Sequence, residues 1–94
     1  MMNYNSAVSI LTRAGFGISN KCRFEGETFH DFQSSKRKVS VSLVIDDATG
    51  SVSRAEVTSY KWSDKSHRYE PVNETINGLQ QLMDKFAPRT PMSL

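Results

Sequence analysis

The sequence predicts an α+β domain: an antiparallel sheet of three or four strands, with an N-terminal and a C-terminal helix packed on one face. Two observations carry this. Apolar residues recur at helical spacing near both ends of the chain but alternate with polar ones in its middle. A hairpin signal, DATGS, then sits between two alternating runs whose apolar positions match when the chain folds back there. The order reads α–β–β–β–β–α, or α–β–β–β–α if Glu27–Gln33 is a loop.

In the first helix Ala7, Ile10, Leu11 and Ala14 share one stripe, and Asn5 or Ser6 is the expected N-cap. Gly15 stands where a left-handed residue ends a helix, and Phe16 behind it can fold back on Leu11. The expected span is Ser6 to Ala14.

Next comes a strand or hairpin within Ile18–Gln33. If Glu25-Gly26 is a two-residue turn, Cys22 faces Phe29 and Phe24 joins the core side, with Arg23 and His30 pointing away. KVSVSLVI then places Val39, Val41, Leu43 and Ile45 on one face and Ser40, Ser42 and Val44 on the other. Ala48 and Thr49 fit a type I turn, and Gly50 takes the left-handed position. With Asp47 facing Ser51, Val41 pairs with Val57 and Leu43 with Ala55, whereas a slip of one residue would set Glu56 against Val41.

Near the C-terminus Val72, Ile76, Leu79, Leu82, Met83 and Phe86 fall on one helical stripe, with Asn73 as cap and Pro88 as stop. Gly78 inside that helix suggests close packing on the sheet, since an interior Gly costs about 1 kcal/mol relative to Ala. Residues 1–88 form the expected single domain and 89–94 a loose tail.

Composition narrows the function class. The chain has 94 residues, 37% apolar, with a formal net charge of +2, which describes one folded domain and demands neither nucleic acid nor a membrane. The lone Cys22 excludes an intrachain disulfide, and no Cys/His spacing suits zinc, so no metal or cofactor is expected. With no run of apolar residues long enough to span a bilayer and no basic leader, the expected location is the cytoplasm.

The pairing extended to the open end of the hairpin sets Lys38 opposite Tyr60 and Lys36 opposite Trp62, on the face away from the helices. Arg37, Lys61, Lys65, His67 and Arg68 surround these rings. Exposed aromatics beside cations suit a protein interface with aromatic anchors, or a sheet that stacks unpaired bases while cations meet phosphates. The acids Glu25, Glu27 and Asp31 weigh against nucleic acid.

GETFHDF raises a catalytic alternative. His30 and Asp31 are neighbours, but adjacent residues on a strand point to opposite faces, which separates a base from its orienting acid. The run SAVSILTRAGF, followed by a strand and FHDF, resembles the first third of HicA-type toxins. These are small double-stranded-RNA-binding-like domains, in which a helix ending in Gly-aromatic leads to a strand bearing a ribonuclease histidine. The resemblance implies a catalytic role for His30. GETFH replaces that family's Gly-Ser-His approach, and this chain is longer and less basic.

The sequence thus points to a small non-enzymatic binding module, a regulator or inhibitor that contacts a protein in a larger complex, of the size of many phage or bacterial accessory proteins. Its expected contact residues are Trp62, Tyr60, Lys36, Lys38, Arg68 and Lys61. An RNA- or single-stranded-DNA-binding domain is the alternative, with the ribonuclease reading behind it.

Overall fold

Each end of the first helix is set by a side chain or residue that satisfies backbone groups. In the computed structural model, which describes residues 2–34 and 36–86, α1 runs Tyr4–Arg13. Its N-cap is Asn3, whose Oδ1 accepts the Ser6 N–H at 3.0 Å, so the helix begins ahead of the expected Asn5 or Ser6 cap. Tyr4 thereby enters the helix. At the other end Gly15 has φ 92°, the Phe16 N–H reaches the Leu11 carbonyl at 2.9 Å and the Gly15 N–H reaches Thr12 at 3.0 Å. That pair of bonds is a Schellman motif, and Leu11 and Phe16 are both buried beside it.

The sheet has five strands in the order β1-β2-β3-β4-β5, every neighbouring pair antiparallel. They are β1 (Gly17–Phe24), β2 (Glu27–Ser34), β3 (Val39–Asp46), β4 (Val52–Ser63) and β5 (Arg68–Ile76), followed by α2 (Leu79–Phe86). The α+β class holds, and the strand count exceeds the expected three or four. Glu27–Gln33 is strand, and the added strand is β5.

Residues expected in the C-terminal helix form β5. Val72 and Ile76 are spaced four apart, which fits one helical face and one strand face equally well. Pairing with β4 decides between them. Asn73 hydrogen-bonds Thr58 across the two strands at 3.0 Å instead of capping a helix. Pro71 is tolerated because β5 is an edge strand. Helix α2 therefore starts at Leu79, and Gly78 precedes it with open space where a Cβ would stand, so close packing is not its role. Pro88 and the 89–94 tail lie outside the described residues.

The β3–β4 register is the expected one, with Val41 opposite Val57, Leu43 opposite Ala55 and Gly50 at φ 73°. The closing pair differs by one residue. Asp46, not Asp47, bonds Ser51 (N–H to carbonyl, 2.9 Å), and the register shifts between Val44 and Ile45, leaving Ser53 as an extra residue in β4. This bulge reverses the alternation, so that Val52 as well as Ala55 and Val57 is buried.

The first hairpin turns at Glu25 and Gly26 (φ 48° and 79°), with Cys22 opposite Phe29 as expected. The facing is the reverse of the expectation. Phe32 pairs with Val41 in the core, so His30 shares the helix side, while Phe24 lies on the other side and is 65% exposed.

Both helices cover one side of the sheet. Ala7 and Leu11 of α1, Leu82 and Phe86 of α2, and Phe32, Val41, Leu43, Ala55, Val57 and Ile76 of the sheet form one core. Phe16 and Phe86 meet edge to face, ring centres 5.1 Å apart. Lys85 ties α2 to β5 through Glu74 at 2.8 Å. No helix among the described residues is long and apolar enough to cross a membrane. Because Leu82 is fully buried and Met83 is 41% exposed, Leu82→Ala should cost about 2–5 kcal/mol. Met83→Ala should cost under about 1 kcal/mol, both read by urea denaturation.

Candidate interaction face

Strand β4 outruns its neighbour. Its pairing with β3 ends at Ser40 opposite Thr58, whereas its pairing with β5 continues to Ser63 opposite Arg68. Residues beyond Thr58 and before Asn73 therefore project as a two-stranded arm. Alternation continues from the buried Ala55 and Val57, placing Ser59, Lys61 and Ser63 on the helix side and Thr58, Tyr60 and Trp62 on the open side. The register adds Tyr69 and Pro71 to that open side.

Three rings gather there. Trp62 and Tyr69 pack edge to face with centres 5.2 Å apart, and Tyr60 lies next along the same face. Their exposures are 49% for Trp62, 66% for Tyr69 and 56% for Tyr60, so the pair contact leaves about half of each ring in water. The indole N–H donates to the Asp64 carboxylate at 3.1 Å. Tyr69 is absent from the contact set expected from the sequence, in which the C-terminal helical stripe begins at Val72 and no strand precedes it. Its signal is the alternation Tyr69, Pro71, Asn73 after the turn at Asp64–His67.

The expected cations divide. Lys38 lies in the turn before β3, at φ 53°, rather than in a strand opposite Tyr60. It nonetheless lines one depression of about 420 Å³ with Tyr60, Tyr69, Ser59 and Arg37. Lys36 is not opposite Trp62: the chain turns away after Ser34, and Lys36 borders Arg13, Ala14 and Gly15 at the end of α1. Lys61 and Arg68 occupy the reverse side of the arm from the rings. Of the basic-aromatic surface expected from the sequence, Lys38 and Arg37 stand beside Tyr60 and Tyr69, while Lys36, Lys61 and Arg68 lie elsewhere.

The remainder of the open face carries a different charge. Register and alternation place Glu27, Phe29 and Asp31 of β2, Ser42, Val44 and Asp46 of β3, and Arg54 and Glu56 of β4 on it. Arg54 bridges Glu56 at 3.1 Å and Glu27 at 3.2 Å. These partners, Glu56 first, hold its pKa above the usual guanidinium value. Val44, between Phe29 and Arg54 in the register, is fully buried although neither α1 nor α2 covers this side. The Ser42 hydroxyl bonds the Asp31 carboxylate.

His30 faces α1. The Tyr4 hydroxyl and His30 Nδ1 are 2.8 Å apart and the rings meet edge to face at 5.3 Å. In the neutral imidazole with Nε2 protonated, Tyr4 is the donor. His30 and Asp31 are parted by the strand, as the alternation requires. The depression over Tyr4 and His30, about 520 Å³, also presents Asn3, Asn5, Thr28 and Thr49 and has no carboxylate or second histidine among its described lining residues. Among the described residues no group of His, Cys, Asp and Glu is placed to hold a metal ion.

Burial, and then the charge of Lys21, hold the His30 pKa below 6.5, while Asp31 opposes them. The unfolded chain therefore binds this proton more readily. The resulting stability is present above pH 6.5, falls as pH drops through the lower folded pKa, and is then lost. In His30→Gln this part of the acid sensitivity should vanish: the difference between variant and wild type in urea midpoint, measured at pH 7.5, 6 and 5, should shift in the variant's favour as pH falls.

No protein-family model, no curated protein and no solved structure matches this chain.

Proposed function

We propose that this chain is a non-enzymatic binding module, a regulator or inhibitor that docks on a protein of a larger complex through the open side of the β4–β5 arm. The observation that carries the reading is the ring cluster: Tyr60, Trp62 and Tyr69 share one face of a projecting hairpin and remain about half or more exposed. Rings of this size contribute heavily when a contact buries them, and an arm beyond the helices offers them to a partner without disturbing the core. Lys38 stands at the margin of the cluster, and Lys36, Lys61 and Arg68 lie outside it, where charges act mainly on association rate.

The side on which each charge lies supports a protein over an unpaired nucleic acid. Base stacking on a sheet needs cations beside the rings to meet phosphates. Here Lys38 and Arg37 border the rings at one edge, but Lys61 and Arg68 are on the reverse side, and Glu56 and Asp31 share the side of the rings. The non-enzymatic reading rests on His30, whose Nδ1 is engaged by Tyr4 and whose neighbour Asp31 faces away.

Retention of partners from the source organism's lysate, with and without nuclease, tests this. Nuclease should leave the retained protein in place, and Trp62→Ala should weaken its binding by about 2 kcal/mol or more. The same substitution removes one ring pair, worth about 0.5–1.5 kcal/mol, so the domain should stay folded. Global unfolding by Trp62→Ala would assign the ring to the core and refute the docking role. Metal-independent RNA cleavage by the purified chain, abolished in His30→Ala, would refute the non-enzymatic one.

A further inference from the structure

We infer that the protein segment received by this face is cationic, an extended stretch bearing arginines or lysines that runs from the ring cluster onto the acidic centre of the open sheet. The inference rests on the docking role just proposed and adds the chemistry of the partner.

The argument begins with the division of charge between the two sides. The chain as a whole is positive, at +2. Yet the open side carries Glu27, Asp31, Asp46 and Glu56 on β2, β3 and β4, with Arg54 as their cation. Arg54 is already held by Glu27 and Glu56, so it neutralises part of this group and offers little to an anion. Of the other cations, Arg23 is bound to Asp47, Lys85 to Glu74, Lys36 is at the end of α1, and Lys61 and Arg68 are on the reverse side of the arm, while Lys38 and Arg37 border the ring cluster beside Tyr60 and Tyr69 and not the carboxylates of the sheet centre. An overall basic protein thus turns an acidic surface outward at the centre of the sheet face that α1 and α2 leave uncovered.

The rings extend that surface in the same chemical sense. Asp64 sits on the Trp62 indole N–H, adding a carboxylate at the outer end. The faces of Trp62, Tyr60 and Tyr69 attract guanidinium and ammonium groups through their quadrupoles. Carboxylates and ring faces together form one strip along β4, from Trp62 past Tyr60 and Thr58 to Glu56. Six residues of strand separate its ends, or roughly 20 Å. A partner strand of similar length, with cations at alternate positions, would set them over the rings at one end and the carboxylates at the other. Lys38 and Arg37 border the strip beside Tyr60 and disfavour a partner cation there, which favours a register that avoids that depression.

Trp62 is the only tryptophan, so its emission reports on this strip directly. The full chain is titrated with nona-arginine, with a nona-glutamate peptide and with a nine-nucleotide oligo-uridine, at one fixed moderate ionic strength. Nona-arginine should change the emission saturably. The Glu27→Gln/Glu56→Gln variant should bind it at least fivefold more weakly, and Tyr69→Ala likewise, with circular dichroism unchanged in both. Absence of saturable binding, or an undiminished affinity in the charge variant, overturns the cationic partner. A lysate partner that is still lost on Trp62→Ala would then leave the docking role itself standing. A saturable response to oligo-uridine but not to nona-arginine overturns both.

Discussion

The pairing of β3 with β4 is the constraint on which the remainder of the molecule depends. It is closed by a short turn in which the Asp46 carbonyl accepts from Gly50 at 2.7 Å, and Gly50 adopts the left-handed φ of 73° that other residues reach only at a cost. One extra residue at Ser53 then brings Val52 inward. Without that bulge the alternation of β4 would present Ser53 to the core and Val52 to water. Met2 bridges to Val52 from the other side by a reciprocal pair of backbone bonds, at 2.8 and 2.9 Å, which seats α1 over the sheet.

From this register the two sides of the sheet acquire opposite characters. The helix side is apolar at Val41, Leu43, Ala55 and Val57 and is closed by α1 and α2. The other side is polar and charged but not loosely organised, since Arg54 with Glu27 and Glu56, and Ser42 with Asp31, hold its side chains across three strands. Such exposed pairs add little to stability. They do fix which charges point outward, and that bears on recognition.

The arm is the part of the molecule with least claim on the core. Buried residues of β4 end at Val57, and all of β5 except Ile76 is exposed. Rings placed there bury little in the isolated chain, so their position is costly for folding and useful for contact. The neighbouring edge of the sheet is interrupted by Pro71, which lacks a donor and discourages indiscriminate strand addition along β5. The proposed contact through side chains on the open side needs no strand added at that edge.

The sequence by itself determined what rests on local chemistry and short periods. The Gly15-Phe16 helix stop, the Gly50 turn, the pairing of Val41 with Val57 and the separation of His30 from Asp31 all follow from alternation or from residues that tolerate positive φ. Tertiary structure alone decided the rest. Val72 and Ile76 satisfy both periods, so only the presence of β4 as a neighbour made them a strand. Phe29 and Phe32 lie on opposite faces of β2, and either could have been the inner one; the contact of Phe32 with the Val41 side of β3 settled it and carried His30 beneath Tyr4. The candidate site was legible in Tyr60 and Trp62, whose facing followed from a correct register. Its charge was not, because Lys36 to Lys38 belong to a turn and Lys61 and Arg68 to the far side of a hairpin whose second strand pairing alone revealed.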